Sequence, residues 1–209
     1  MDACDRLDDP IATVVVATRD RPQDLSHCLD RLDGLPEQPP VIVVDNGSAV
    51  SPAPVCADRP EVTLVPLPGN LGAAARNVGA RLASTEVVAF CDDDSWWEPG
   101  ALATATRFLN EHRQAGLAVA RVLVEPSGDL DPVSACIGAG PFDIEWRRRP
   151  GGHRAVAGFL ACSAAVRRDA FLAVGGFPDE LVIGGEETPL ALRLAAAGWH
   201  LGYVPEAVV

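Results

Sequence analysis

The stretch Val87-Val88-Ala89-Phe90-Cys91-Asp92-Asp93-Asp94 joins a short apolar run to three consecutive carboxylates. An apolar run of this length, rich in β-branched residues, predicts a buried strand. Hard cations such as Mg²⁺ and Mn²⁺ prefer oxygen ligands and often bind one or two carboxylates together with substrate phosphates. The stretch therefore favours a metal site at the carboxyl end of a central strand, beside a phosphate-bearing ligand. The alternative is a solvated acidic turn that leads into a helix beginning at Pro99.

The first 45 residues alternate between apolar runs and a helical pattern. Residues 11–17 and 41–44 are near-continuous apolar runs, which is typical of strands buried on both faces of a parallel sheet. Between them, apolar residues recur at helical spacing from Pro22 until Gly34 ends the pattern. This strand–helix–strand unit predicts an α/β fold with a mainly parallel central sheet and helices on both faces.

The rest of the chain continues the alternation. The pattern predicts strands at 62–65, 87–91, 117–124, 159–166 and 200–204, and helices at about 73–83, from Pro99, at 168–174 and from Pro189 with Thr188 as its cap; residues 125–157 are expected to form a long loop.

Composition limits the classes of function. With 209 residues the simplest interpretation is a single domain, 1–209, that can bury a real core. The net charge of −12 argues against a nucleic-acid partner. The absence of lysine excludes a Schiff-base lysine and a P-loop lysine. The six cysteines have no metal-ligand or redox spacing, and the acidic N-terminus has no signal pattern, so we expect reduced thiols in a cytoplasmic protein.

Polar side chains follow several of the predicted strands. Thr18, Asp45 and the Asp92–Asp94 triplet all lie at predicted strand carboxyl ends. In an open α/β sheet ligands bind at that edge, so these side chains are expected to form one site. The Gly69–Ala75 stretch adds a glycine-containing loop before a helix, which is a natural anion site. The alternative for this last segment is a plain loop before a closely packed helix.

The ordered set of motifs resembles family 2 inverting glycosyltransferases with the Rossmann-like GT-A fold. Each motif alone is weak, but the set covers nearly the whole chain in the family's order. The matching segments are Val14–Pro22 (opening strand and loop), Val43–Ser48 (nucleotide-binding strand end), Gly69–Asn77, Asp92-Asp93-Asp94 (DXD-type metal motif), Gly158–Phe177 (acceptor side) and Gly185–Trp199 (Glu-Asp motif and helix).

The resemblance implies a role for individual residues. About 1–115 would bind the nucleotide sugar and metal, and about 116–209 the acceptor. Glu187 matches the usual catalytic Asp, Glu186 matches the Glu before it, and Asp94 would be the firmest metal ligand, with Asp92 beside it. The nucleotide-sugar-binding set would be Thr18, Arg19, Asp45, Asn70, Arg76, Asp92 and Asp93.

The implied reaction is metal-dependent. A sugar would move from a UDP, GDP or dTDP sugar to an unknown hydroxyl acceptor, with inversion and with Mn²⁺ or Mg²⁺ stabilising the leaving diphosphate. Two departures from the family pattern are Glu187, where Asp is usual, and Pro189, at a commonly acidic position. Peripheral association with the inner membrane face stays open, because many relatives modify lipid-linked or cell-envelope acceptors.

Two other functions remain as alternatives. One is a nucleotide-sugar-binding module without turnover, an alternative that the departures at Glu187 and Pro189 leave open. The other is a sugar-phosphate nucleotidyltransferase, which usually needs a glycine-rich loop after its first strand. Residues 18–22 contain no glycine, which counts against this second alternative.

Overall fold

The computed structural model describes residues 11–140, 154–179 and 184–209. Its strands and helices follow one another in the order β1 (Thr13–Thr18), α1 (Pro22–Asp33), β2 (Val41–Asp45), α2 (Ala53–Cys56), β3 (Val62–Pro66), α3 (Ala75–Leu82), β4 (Val87–Asp92), α4 (Ala101–Glu111), β5 (Ala115–Arg121), β6 (Leu123–Val124), β7 (Asp129–Leu130), α5 (Pro132–Ala139), β8 (Arg154–Val156), β9 (Ala164–Arg167), α6 (Arg168–Ala173), α7 (Glu187–Ala196) and β10 (His200–Val208).

The main sheet of the described residues has eight strands in the order β3-β2-β1-β4-β9-β5-β10-β8. β3, β2, β1 and β4 are parallel neighbours, and β10 is parallel to β5. β9 runs antiparallel to both β4 and β5, and β8 runs antiparallel to β10. Six strands therefore share one direction, which confirms the mainly parallel sheet predicted from the apolar runs.

Helices cover both faces of this sheet because successive side chains of a strand point to opposite faces. Val14 and Val16 of β1 are buried in a core formed with α1 and α4. Val15, between them, is buried in a second core formed with α3, α6 and α7. The prediction of helices on both faces is confirmed. Across the described ranges, no helix combines the length and apolar character needed to cross a membrane.

The strand register brings the predicted polar strand ends together. Thr18 of β1 lies beside Asp45 of β2, and Ala17 lies beside Asp92 of β4. The carboxyl ends of three neighbouring strands thus share one edge, as expected for the ligand edge of an α/β sheet.

Two helices begin at different residues from those predicted. Gly100 has a φ of 82°, a left-handed conformation that α4 cannot include, so α4 begins at Ala101 rather than at Pro99. α7 begins at Glu187 with Glu186 in the N-cap position, so Thr188 does not cap it. The start of α7 two residues early places both candidate catalytic glutamates at a helix N-terminus.

The segments predicted as one strand and one long loop contain more structure than expected. Residues 161–163 form a turn of 3₁₀-helix, so β9 is confined to residues 164–167 instead of spanning 159–166. Within the predicted loop 125–157, β7 closes a hairpin with β6, and α5 follows. Asp131 caps α5 by accepting the Ser134 N–H at 2.8 Å, and Pro132 starts it. Residues 141–153 of that loop lie outside the described ranges.

Candidate functional site

A cleft of about 410 Å³ opens at the carboxyl edge of β1, β2 and β4. It brings together eight of the residues singled out in the sequence, whereas Asp45 and Glu187 do not line it. The lining residues are Ala17, Thr18, Arg19, Arg21, Asn46, Asn70, Gly72, Ala73, Arg76, Asp92, Asp93, Asp94 and Glu186.

Asp93 is the buried member of the carboxylate triplet. Its Oδ2 accepts a hydrogen bond from Thr18 Oγ1 at 2.8 Å, and its Oδ1 accepts one from Arg21 Nη1 at 2.8 Å. Burial raises the pKa of Asp93 above its ordinary value, while the Thr18 hydroxyl and the Arg21 charge act in the opposite direction. Asp93 therefore joins β4 to the loop after β1 instead of presenting a free carboxylate.

Arg21 is a site residue to which sequence reasoning gave no role. Its Nη2 donates to Asp94 Oδ2 at 2.9 Å, and its Nε donates to Asp24 Oδ2 at 2.9 Å. The hydrogen bond to Asp94 is the largest of the effects that raise the pKa of Arg21. In the sequence, the feature that points to Arg21 is its position directly before Pro22, at the N-terminus of α1, in the loop that faces the triplet.

Arg76 pairs with the remaining member of the triplet, Asp92. Its guanidinium lies 5.8 Å from the centre of the Phe177 ring, within cation–π range. Its Nε is buried and has no hydrogen-bond partner within the described part of the chain. A ligand oxygen in the cleft would satisfy this donor, because buried polar groups are nearly always hydrogen-bonded.

Asn46 is the second site residue that the sequence reasoning missed. Its Nδ2 donates to Asn70 Oδ1 at 2.9 Å and to the Gly72 carbonyl at 3.1 Å. The loops approach so closely that a Cβ at Gly47 would lie 2.7 Å from the Gly69 backbone. Asn70 thus acts within the loop: its Oδ1 also accepts the Gly72 N–H at 2.8 Å. The sequence signal for Asn46 is its place in Asp45-Asn46-Gly47-Ser48, directly after the strand end.

Asp45 and Arg19 have contrasting positions. Asp45 is buried, and its Oδ1 accepts the Ser48 N–H at 2.9 Å, so its carboxylate holds the turn after β2. Arg19 lies on the wall of the cleft with an exposed side chain. The predicted nucleotide contacts of both residues stay predictions.

The two candidate catalytic glutamates also differ. Glu186 lines the cleft, and its Oε2 is buried without a hydrogen-bond partner in the described residues. Glu187 Oε1 accepts the Ala161 N–H at 3.4 Å. Burial raises the pKa of Glu187 most; its own backbone N–H opposes the shift, and the neighbouring charge of Glu186 adds to it.

The donor set of the cleft fits a hard divalent cation. The side chains of Asp92 and Asp94 are 36% and 53% exposed, whereas that of Asp93 is 6% exposed. Three arginines and four carboxylates line the cleft, so its formal charge is −1 before a diphosphate enters. In the ranges that the structure describes, no group of three or more His, Cys, Asp or Glu side chains forms a complete metal site. Asp92 and Asp94 would thus bind the cation with phosphate oxygens and water as further ligands.

Comparison with known sequences identifies the family. Residues 13–174 match the sequence model described as Glycosyl transferase family 2. The chain belongs to this family. Together with the structural neighbours below, this match confirms the resemblance to family 2 glycosyltransferases with a GT-A fold, and it weighs against the nucleotidyltransferase alternative.

Two curated relatives come from Mycobacterium tuberculosis. The chain is 33% identical over 205 residues to a "Pre-mycofactocin glycosyltransferase", and this alignment covers 94% of the chain and 42% of the relative. It is 28% identical over 234 aligned positions to an "N-acetylglucosaminyl-diphospho-decaprenol L-rhamnosyltransferase", and this alignment covers 95% of the chain and 75% of that relative. The chain thus spans less than half the length of the first relative.

Solved structures share the fold. The mannosyltransferase PcManGT from Pyrobaculum calidifontis, solved in complex with GDP-Man and Mn²⁺, matches with a TM-score of 0.73 at 23% identity, over 96% of this chain and 56% of that one. GalNAc-T7, solved with UDP, GalNAc and Mn²⁺, matches with a TM-score of 0.74 at 14% identity, over 94% and 43% of the two chains.

Proposed function

We propose that this chain transfers a sugar from a nucleoside-diphosphate sugar to an acceptor hydroxyl, with inversion and with Mn²⁺ or Mg²⁺ as cofactor. The observation that carries the proposal is the cleft itself. It holds the accessible carboxylates of Asp92 and Asp94 together with a donor on Arg76 and an acceptor on Glu186 that have no hydrogen-bond partner among the residues that the structure describes. The complexes of PcManGT with GDP-Man and Mn²⁺ and of GalNAc-T7 with UDP and Mn²⁺ support this ligand class.

The half of the chain up to about residue 115 would bind the donor. Arg76 would donate to the diphosphate through its Nε, which has no partner in the described ranges, and Arg19 would approach the nucleotide from the wall of the cleft. Thr18 and Asp93 would act through their mutual hydrogen bond, which fixes the floor of the cleft. Asp45 and Asn70 would shape the two loops that border the nucleoside. When bound, the cation would supply positive charge beside the leaving diphosphate.

The other half, from about residue 116, would bind the acceptor and remove its proton. We assign the general base to Glu187, because burial raises its pKa and so makes its carboxylate a better proton acceptor than an exposed glutamate. Its hydrogen bond to Ala161 is long, at 3.4 Å, and an acceptor hydroxyl would replace it. Glu186, which faces the cleft, would accept hydrogen bonds from the reacting sugars. One displacement inverts the anomeric carbon and needs no covalent nucleophile.

The first experiment measures thermal stabilisation by UDP, GDP and dTDP, each with and without Mn²⁺. The variants are Asp94→Ala and, as a matched control, Asp129→Ala, since Asp129 is an exposed aspartate on β7 outside the cleft. We expect a Mn²⁺-dependent shift with one nucleotide that Asp94→Ala abolishes and Asp129→Ala retains. No shift with any nucleotide would refute the proposal.

The second candidate function, a binding module without turnover, is favoured by the identity and the position of Glu187. Glu187 replaces the family's usual Asp and does not line the cleft. Hydrolysis or transfer of the corresponding nucleotide sugar, assayed with varied acceptors, separates the two functions. Turnover that Glu187→Gln abolishes supports the enzyme, whereas tight nucleotide binding with no turnover supports the module.

A further inference from the structure

Arg21 uses all three directions of its guanidinium group. Nε donates to Asp24, Nη1 to Asp93 and Nη2 to Asp94, at 2.9, 2.8 and 2.9 Å. A planar guanidinium can bridge several carboxylates at once, whereas an ammonium is a compact point charge. Asp24 belongs to the first turn of α1, so the bridge fixes the carboxylate triplet to the start of that helix.

The triplet needs such a bridge for an electrostatic reason. Three adjacent carboxylates repel one another, and the two arginines divide them: Arg76 pairs with Asp92, and Arg21 pairs with the other two. Asp93 is the buried one, so the guanidinium offsets part of the cost of placing its charge away from water. Asp94 keeps 53% of its side chain exposed while one of its oxygens is held.

These contacts give the carboxylates of the triplet different roles. Arg21 binds Oδ2 of Asp94 and so sets the orientation of a carboxylate that still faces the cleft. Without the bridge, repulsion from Asp93 would turn Asp94 toward solvent. A carboxylate that is free to rotate binds a cation less tightly than one held in place, because its ordering must then occur on binding.

We propose that Arg21 is a positioning residue of the donor site, which orients Asp94 and holds Asp93 so that Asp92 and Asp94 can bind the cation that accompanies the donor diphosphate. The inference rests on the proposed function. Arg21 acts through the two aspartates and not on the reacting atoms. Its effect is therefore on the affinity for the cation–nucleotide pair, and the rate at saturation is largely preserved.

The test measures Mn²⁺ affinity by the loss of the electron paramagnetic resonance signal of free Mn²⁺, with UDP, GDP or dTDP present. The variants are Arg21→Gln, Arg21→Lys and Asp24→Asn, which removes only the anchor of the bridge. Arg59→Gln is the matched control. Arg59 also pairs with two aspartates, Asp30 and Asp33, but lies outside the cleft.

We expect Arg21→Gln to weaken Mn²⁺–nucleotide binding by about 10- to 100-fold, as removal of a partner of a metal ligand typically does. Arg21→Lys should recover part of the loss, Asp24→Asn should show a smaller loss, and Arg59→Gln should bind as the wild type does. In turnover, KM for the donor and for Mn²⁺ should rise much more than kcat falls. A purely structural role would lower the folded fraction and melting temperature at unchanged affinity.

Two outcomes overturn the inference, and they differ. In the first outcome, the wild type binds Mn²⁺ with a nucleotide, and the Mn²⁺ affinities of the Arg21 and Asp24 variants stay within about twofold of the wild-type value. Since loss of a residue that holds a metal ligand typically costs about tenfold or more, only the role of Arg21 would then be wrong. If the wild type binds no nucleotide with Mn²⁺, the proposed function fails and the inference falls with it. If Arg21→Gln does not fold, Arg21→Lys and Asp24→Asn decide the question.

Discussion

Replacing Asn77 by alanine should destabilise the fold and weaken the donor site together. Asn77 is buried in α3, and its amide bonds both backbone groups of one residue: Nδ2 donates to the Phe177 carbonyl at 2.8 Å, and Oδ1 accepts the Phe177 N–H at 2.9 Å. Alanine would leave both backbone groups buried and unpaired. Each unpaired group costs about 1–3 kcal/mol, so the expected loss is about 2–6 kcal/mol of unfolding free energy. Domains are typically stable by only about 5–15 kcal/mol.

Equilibrium urea denaturation, followed by tryptophan fluorescence, measures this loss. Asn110→Ala is the matched control, because Asn110 is exposed on α4 and should change stability by no more than about 0.5 kcal/mol. A loss below about 1 kcal/mol for Asn77→Ala would show that the amide bridge contributes little and would refute the reasoning. Because the Phe177 ring packs against the Arg76 guanidinium, nucleotide affinity measured well below the unfolding midpoint should also fall.

Three further predictions concern the sheet, the base and the diphosphate contact. Gly79→Ala places a Cβ 2.4 Å from Val15 Cγ1, so urea denaturation should show a loss of about 1–3 kcal/mol from overpacking. Because burial raises the pKa of Glu187, the unfolding free energy of the wild type falls as pH rises from the ordinary pKa of glutamate through the raised one, and that of Glu187→Gln does not. Denaturation at a series of pH values should show that the unfolding free energy of the variant, relative to the wild type, grows across this pH interval and then stays constant. Arg76→Gln should lower nucleotide affinity, measured by calorimetry, by about tenfold or more, because it removes a charge-assisted hydrogen bond. Arg81→Gln, on the exposed part of α3, should leave this affinity unchanged.

Much of the fold could be predicted because its strands are buried on both faces. Such strands read as continuous apolar runs, and β1, β2 and β4 lie where those runs are. The start of α4 was harder, since the left-handed Gly100 and not the helix-favouring Pro99 decides it. α5 was missed because its eight residues carry no apolar periodicity, although Asp131-Pro132 is a helix-start signal.

The candidate site was predictable as an edge of the sheet but not as a network of contacts. The strand ends that carry Thr18 and Asp92 could be placed together from topology alone. The network depends on Arg21, whose guanidinium reaches Asp93, 72 positions further along the sequence. No local pattern encodes a contact of that range. The two glutamates of α7 are likewise distinguished by the position of the helix start and not by their residue type.

The direction of β9 has a consequence for how this chain can diversify. β9 lies between β4 and β5 and runs antiparallel to both, so it begins at the cleft edge, and the chain that precedes it arrives beside the candidate site without a crossover helix. Residues can be inserted or exchanged ahead of Ala161 while the register of β1, β2 and β4, and hence the donor edge, stays intact. If the proposed function holds, the segment ahead of this reversed strand is where residues that recognise the acceptor could be exchanged while the donor-binding edge is kept.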